Sequence, residues 1–218
     1  MTSSTDDLVR DLSARLTQVR PLASPWIRVA QWLGVSAPFL LLLYVLWPHP
    51  PAIASIDRRF AVEQIAAFMT ALTAGVAAFS LIVPGRSRMI ALLPLAPLAV
   101  WMATVGQACA REWSAGSPIM PILPHWACFA ATVVAGMVPA ILMLVMLRRG
   151  APLLPRLTTL LGALAVAGLA NVCIRFVHRF DSSFVVLAWH IGAIMALAGA
   201  LAWSGQHAFN WRHVVRTK

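Results

Sequence analysis

Charged side chains are scarce in this sequence. They make up 11% of its 218 residues, whereas about a quarter of a typical soluble domain is charged. Apolar residues make up 60%, and the mean hydropathy is +0.79. So few charges could not cover a surface that faces water. The composition therefore excludes an ordinary soluble domain and predicts that lipid surrounds most of one compact unit.

Acidic residues are rarer still, because only seven residues are Asp or Glu. Three of these, Asp6, Asp7 and Asp11, lie close to the N-terminus. The sequence contains no P-loop, no HExxH and no GxSxG motif. Little remains for catalysis by paired carboxylates or for a metal-dependent phosphotransferase. We therefore predict that the protein is not an enzyme and needs no cofactor.

Long apolar runs occupy most of the chain. A helix needs about 20 apolar residues to cross a bilayer, and six runs come near that length or exceed it. We predict an all-α polytopic membrane protein with six transmembrane helices in one bundle. The third run contains Pro94 and Pro97, so we expect a kink in it. The runs are residues 27–47, 60–83, 89–106, 126–147, 153–176 and 184–203.

The basic residues predict the orientation of these helices. Twelve of the seventeen lie in the N-terminal segment and at the entry to the first run (Arg28), after the second and fourth runs and in the tail, and five lie on the other side. Positive charges favour the cytoplasmic side, so we predict that both termini are cytoplasmic. The polar first 25 residues do not look like a cleaved signal peptide. We divide the chain into a cytosolic segment (1–25), the bundle (26–204) and a basic cytosolic tail (205–218).

The cytosolic segment has the pattern of a short amphipathic helix. Ser4 and Asp7 are typical of a helix start, and Pro21 ends the pattern. Its apolar stripe consists of Leu8, Leu12, Leu16 and Val19. A helix of about 15 residues is marginally stable alone in water, so the stripe needs a partner. Three partners fit: the inner leaflet, the cytosolic loops of the bundle, or another protein.

The three cysteines lie near the outer side of the predicted bundle. We place Cys109 just past the third span, Cys128 just inside the fourth and Cys173 near the end of the fifth. Cys109 and Cys128 could form a disulfide or a thiol pair open to oxidants and soft metals, or all three could be small apolar fillers. A metal could be ligated on this side by Cys109, His125, Cys128 and His178. No CxxC or HxxxH spacing supports this, so no metal is predicted.

Four polar residues lie in the outer halves of the predicted spans: Glu63, Asn171, Arg175 and His190. Ionisable groups in a membrane are costly, and they are usually paired or functional. We expect Glu63 to pair with Arg175, with His190 nearby. Such a cluster could fix helix packing, or it could be the proton or ligand site of a small transporter or channel. Alternatively, Glu63 and Arg175 could extend to the membrane interface.

Several stretches of this sequence together resemble one family. They are DDLV at 6–9 with the leucine stripe that follows, VPGRSR at 83–88, CF at 128–129, LRRGAPL at 147–153 and AWH at 188–190. In these stretches the chain resembles the NrsF family, negative regulators of sigma-F in proteobacteria. The resemblance covers nearly the whole chain, and LRRGAPL is its most specific part.

The resemblance implies a six-span protein of the bacterial inner membrane that holds an extracytoplasmic-function sigma factor inactive and releases it under stress from heavy metals or oxidants. It implies that outer cysteines take part in sensing, and Cys109 and Cys128 match such positions. The family often has a further cysteine after the histidine of the last outward loop. Here Arg179 follows His178, and Cys173 lies earlier.

The N-terminal helix suits the binding of this sigma factor, because its apolar stripe lacks a partner. Leu8, Leu12, Leu16 and Val19 would be its anchors in a groove of the partner. Arg10 and Arg15 would then meet an acidic surface of the sigma factor. The chain itself would make no direct contact with nucleic acid.

Overall fold

The structure is a computed structural model that describes residues 3–14, 22–46, 57–115, 126–150 and 154–177, without the side chains of residues 3, 4 and 126–131. The regular structure of these residues is helical throughout, as predicted. A short 3-10 helix, Arg88–Leu92, precedes the fourth α-helix. The α-helices are α1 (Ser3–Ala14), α2 (Pro25–Leu46), α3 (Arg58–Leu81), α4 (Leu95–Ser114), α5 (Trp126–Arg148) and α6 (Pro155–Val177).

Four helical stretches among the described residues are long and apolar enough to cross a membrane. They correspond to the first, second, third and fifth predicted spans. The part of α5 whose side chains are described, Thr132–Arg148, is apolar but shorter. The sixth predicted span, residues 184–203, lies outside the described residues. The six-span count and the orientation therefore stay predictions.

Successive helices of the bundle run in opposite directions, so the contacts between helices group at the two ends of the bundle. At the first, which we call the Arg28 end, the Arg28 guanidinium near the start of α2 lies 4.5 Å from the ring centre of Phe79, near the end of α3. At the other, the Glu63 end, the rings of Phe60 and Phe176 are 5.2 Å apart and join the start of α3 to the end of α6. This alternation is what successive membrane spans require.

The centre of the bundle is the contact between α3 and α6. In the most apolar 18-residue stretch of each helix, the buried share is 72% for α3 and 67% for α6. The corresponding share is 22% for α2 and 17% for the span that contains α4. Small residues allow the close approach, because a Cβ added to Gly168 would lie 2.8 Å from the carbonyl oxygen of Ala67. Close backbone approach through small residues is typical of helix pairs in membranes.

The third predicted span differs from its prediction in two respects. Pro94 is the N-cap of α4 and Pro97 lies in the first turn of that helix, where proline needs no N–H partner, so these residues begin the helix instead of kinking it. In addition, α4 continues to Ser114, well past the predicted end at residue 106. Ala108, Ala110 and Arg111 favour helix. As a result Cys109 lies within α4, not beyond its end.

Candidate functional site

The helix α1 presents an exposed apolar face. Leu8, Val9 and Leu12 have exposed fractions of 57%, 59% and 57%. Every side chain from Thr5 to Ala14 is exposed. Such a face on a 12-residue helix is typical of a segment that binds a partner, because the helix gains little stability from its own packing. The remaining predicted anchors, Leu16 and Val19, and the predicted contact residue Arg15 lie outside the described residues.

Two charged residues of α1 pair within the helix. Arg10 Nη1 lies 3.8 Å from Asp7 Oδ1, one turn away, and both side chains are largely exposed. An exposed pair of this kind contributes at most about 1 kcal/mol and is screened by salt. It leaves both residues accessible to a partner.

The start of α2 is defined by local capping. The Ser24 carbonyl accepts a hydrogen bond from the Arg28 N–H at 3.1 Å, and the Ser24 hydroxyl accepts a longer one from the Ile27 N–H at 3.4 Å. Pro25 occupies the first helical position, where its missing N–H costs nothing. Local hydrogen bonds and the proline therefore define where α2 begins.

Arg28 anchors this end of α2 in the bundle. It is only 4% exposed, and its Nη2 donates to the carbonyl oxygen of Met146. That carbonyl lies in the last turn of α5, where backbone acceptors lack partners within the helix. The guanidinium also stacks on Phe79, as a cation on an aromatic face. Arg28 counted in the sequence only as a topological charge, so its role as a buried anchor was missed.

Trp32 makes the second attachment of α2 to α5, one turn further along. Its side chain is fully buried, and its indole Nε1 donates to the carbonyl oxygen of Pro139 at 3.0 Å. Pro139 lies inside α5, where it has no N–H to give to the helix. Two side chains on one face of α2 therefore donate hydrogen bonds to backbone carbonyls of α5, which fixes the start of α2 against that helix.

The predicted pair of Glu63 and Arg175 is present at the other end of the bundle. Arg175 Nε donates to Glu63 Oε1 at 2.9 Å, and Arg175 Nη2 donates to Oε2 at 3.3 Å. The side chains are 12% and 5% exposed, so two opposite charges are buried together between α3 and α6. Both carboxylate oxygens are used within the pair. This geometry satisfies both groups and joins the two central helices.

The other two predicted polar residues differ in what the structure shows of them. Asn171 lies one turn before Arg175 on α6 and is only 1% exposed. Its Nδ2 has no hydrogen-bond partner among the described residues. His190 lies outside the described residues, so its predicted position beside the pair stays a prediction.

Two of the cysteines are described as free thiols. Cys173 on α6 is half-buried, and its Sγ lies 3.5 Å from the carbonyl oxygen of Leu40 on α2. Cys109 on α4 is also half-buried, within reach of the charges of Arg59 and Glu112. Cys128 lies in the first turn of α5, and its side chain is not described. A link between Cys109 and Cys128 therefore stays a prediction.

The predicted metal ligands fall largely outside the described part of the chain. His125 and His178 lie there, together with the side chain of Cys128. Where side chains are described, no three of His, Cys, Asp and Glu come close enough together to hold a metal ion.

Comparison with known proteins identifies a family relationship over most of the chain. The family model described as NrsF, negative regulator of sigma F, matches residues 12–211. This confirms the resemblance seen in the sequence stretches. No curated protein and no solved structure matches the chain.

Proposed function

The chain belongs to the NrsF family of negative regulators of sigma F, and on that premise we propose that it is a membrane-bound anti-sigma factor of the bacterial inner membrane. It binds an extracytoplasmic-function sigma factor through the cytosolic helix α1 and keeps it from transcription. Stress from metals or oxidants outside the membrane releases the sigma factor. Both termini are cytoplasmic.

The exposed apolar face of α1 carries this proposal. Leu8 and Leu12 are more than half exposed on a helix too short to be stable alone. A groove in a partner protein would bury them and stabilise the helix in one step. Leu16 and Val19 continue the same stripe in the sequence, and complete the set of anchors we assign to the sigma factor.

The orientation is supported by the basic residues at the Arg28 end of the bundle. Arg86 and Arg88 follow α3, Arg148 is the last residue of α5 and Arg149 follows it, and Arg156 lies in the first turn of α6. A cytoplasmic position for this end agrees with the preference of basic residues for that side. It also puts α1, which precedes α2, in the compartment of the sigma factor.

The route from stimulus to release runs through α2 in this proposal. At the Glu63 end, Cys173 lies against the Leu40 carbonyl of α2. At the Arg28 end, the same helix is tied to α5 and follows the sigma-binding segment. We assign sensing to Cys109, Cys128 and Cys173, whose modification would shift the bundle between two arrangements that differ in their affinity for the sigma factor.

The alternative of a small transporter or channel would need the polar site to be available to a substrate. Both oxygens of Glu63 accept hydrogen bonds from Arg175 instead. The pair therefore fits a role in joining α3 to α6, and we assign it that role.

The proposal is tested in a reporter strain with Leu8→Asp and Leu12→Asp combined. The sigma factor to follow is the one whose regulon rises when this gene is deleted. We expect the double variant to raise reporter expression to the level of the deletion strain, because two buried charges abolish docking in an apolar groove. Ala14→Asp is the matched control, since it adds a charge on the opposite face of α1.

Immunoblots of membrane fractions show whether each variant is inserted at the normal level. Full repression by an inserted double variant would remove α1 from the sigma-binding role. Equal loss of repression in Ala14→Asp would mean that charge anywhere on the helix disturbs function, and that no specific face is used.

A further inference from the structure

A shallow groove runs between α5 and α6 at the Arg28 end of the bundle. Its lining is almost wholly apolar and includes Ala140, Met143, Leu144, Leu147, Gly162 and Val166. The two helices approach closely in its floor, because a Cβ added to Gly162 would lie 3.1 Å from Leu147 Cδ1. Ala140 and Leu144 are half-exposed, so the groove is open on its outer side.

The dimensions of the groove suit an extended chain. It encloses only about 20 Å³, which is too little for a compact ligand. The stretch of α5 from Ala140 to Leu147 is roughly 10 Å long at 1.5 Å per residue. The hydrocarbon of one leaflet is about 15 Å thick, half of that of the bilayer. The groove therefore extends over much of the leaflet at the Arg28 end.

Two exposed arginines lie where the groove meets the Arg28 end. Arg148 follows the lining residue Leu144 by four positions on α5, and Arg156 precedes the lining residue Thr159 by three positions on α6. Residues three or four apart lie on the same face of a helix. Both arginines therefore continue the walls of the groove beyond its apolar part. An apolar groove that ends between two guanidinium groups is complementary to a chain with an anionic head.

Among the described residues of the bundle, no acid lies at this end to neutralise the arginines. From residue 22 onwards the described acids are Asp57, Glu63 and Glu112, and all three lie towards the Glu63 end. The buried Arg28 adds to the positive charge. Its Nη1 has no hydrogen-bond partner among the described residues, and Arg149 is close enough for the two charges to repel each other. A buried charge is screened little by water, so Arg28 strengthens the attraction of this end for an anion.

We propose that the groove and its two arginines bind an anionic phospholipid of the inner leaflet. The phosphate lies between Arg148 and Arg156, and one acyl chain lies along Leu144 and Val166. Basic pockets between membrane helices on the cytoplasmic side bind anionic head groups in this way. The site is separate from the binding of the sigma factor by α1, and it rests only on the membrane position and orientation proposed above.

The test uses the full-length chain in neutral detergent, without the sigma factor. Affinity is measured by native mass spectrometry and by the rise of the thermal unfolding midpoint, with four probes: dioleoyl phosphatidylglycerol, dihexanoyl phosphatidylglycerol, dioleoyl phosphatidylcholine and inorganic phosphate. We expect dioleoyl phosphatidylglycerol to bind most tightly. Arg148→Gln combined with Arg156→Gln should weaken it roughly tenfold or more. Arg58→Gln combined with Arg111→Gln is the matched control, because it removes two exposed arginines at the other end.

A second variant tests the groove and leaves the arginines in place. Ala140→Leu puts a larger side chain into the groove at a half-exposed position. We expect the affinity for dioleoyl phosphatidylglycerol to fall towards that for the dihexanoyl lipid, while the affinity for the short lipid stays unchanged. Ala103→Leu, at an exposed position of α4 outside the groove, is the control and should change neither affinity.

Several results would overturn the inference. Equal affinity for phosphatidylcholine, or an equal loss in the Arg58 and Arg111 control, would mean that no specific site exists. Inorganic phosphate that binds as tightly as the lipid would indicate a plain anion site. If Ala140→Leu lowers the unfolding midpoint without lipid and the wild type binds no phosphatidylglycerol, residues 184–203 or a second copy of the chain occupy the groove. Because no sigma factor is present, a wild type that binds the lipid but later fails to bind a sigma factor would refute the proposed function alone.

Discussion

Breaking the pair between Glu63 and Arg175 should destabilise the bundle far more than replacing both residues. The relevant variants are Glu63→Leu, Arg175→Leu and the two combined. Each single variant leaves one charge buried between α3 and α6, where the pair is 5% and 12% exposed. The double variant leaves two apolar side chains of similar size facing each other.

Two typical free-energy costs suggest different sizes for this effect. Removing one partner of a buried pair in a soluble protein costs about 3–5 kcal/mol, whereas an average interhelical hydrogen bond in a membrane protein is worth only about 0.6 kcal/mol. The bidentate geometry and the burial favour the larger figure. Arg175 lies two residues before the end of α6, however, and part of its chain could reach the interface. We therefore expect each single variant to lose about 2–3 kcal/mol and the double variant less than about 1 kcal/mol.

The assay is reversible unfolding in mixed micelles with increasing SDS, followed by tryptophan fluorescence and circular dichroism. The expected coupling energy is at least about 3 kcal/mol, the sum of the two single losses less that of the double variant. Trp32→Phe combined with Glu63→Leu is the control, because Trp32 acts at the opposite end of the bundle and the two losses should add. A coupling below about 0.5 kcal/mol for the ion pair, or an equal coupling for the control, would refute the reasoning.

Two further predictions concern helix approach and sensing. Gly168→Ala should destabilise the protein by about 1–3 kcal/mol in the same SDS titration. The new Cβ would lie 2.8 Å from the Ala67 carbonyl oxygen and 3.2 Å from Ala71. Gly106→Ala is the control and should be neutral or slightly stabilising, because a Cβ there would have nothing within 4 Å. Cys109→Ser combined with Cys128→Ser should change the dose of cadmium or dichromate that releases the sigma factor in the reporter strain. An unchanged dose response with normal repression would remove these thiols from sensing.

Much of the helical framework could be predicted from the sequence, because length and apolar content are what a bilayer demands. The runs that became α2, α3 and α6 were placed within two or three residues of their ends. The pairing of Glu63 with Arg175 could also be predicted, from the cost of burying an unpaired charge. Two ionisable groups at similar depth in a membrane are most cheaply placed against each other.

Other features depend on contacts between helices that are distant in the sequence, and the sequence pattern does not predict these contacts. Arg28 lies among basic residues near a span end, and only the neighbouring α3 and α5 make it a buried anchor. The same holds for Trp32, whose partner is a backbone carbonyl 107 residues away. Pro94 and Pro97 favour a kink and a helix start equally well until the position of the helix is known. Cys109 was misplaced because the apolar run ends near residue 106, whereas α4 continues to Ser114.

The account depends most on the claim that the apolar face of α1 contacts the sigma factor while the chain is in the membrane. Photo-crosslinking in living cells tests it directly, with a benzophenone amino acid placed at Leu12 or, on the opposite face, at Ala14. We predict a crosslink to the sigma factor from position 12, much less from position 14, and loss of the crosslink when the inducing stress is applied. No crosslink from position 12, or equal crosslinks from both, would contradict the account.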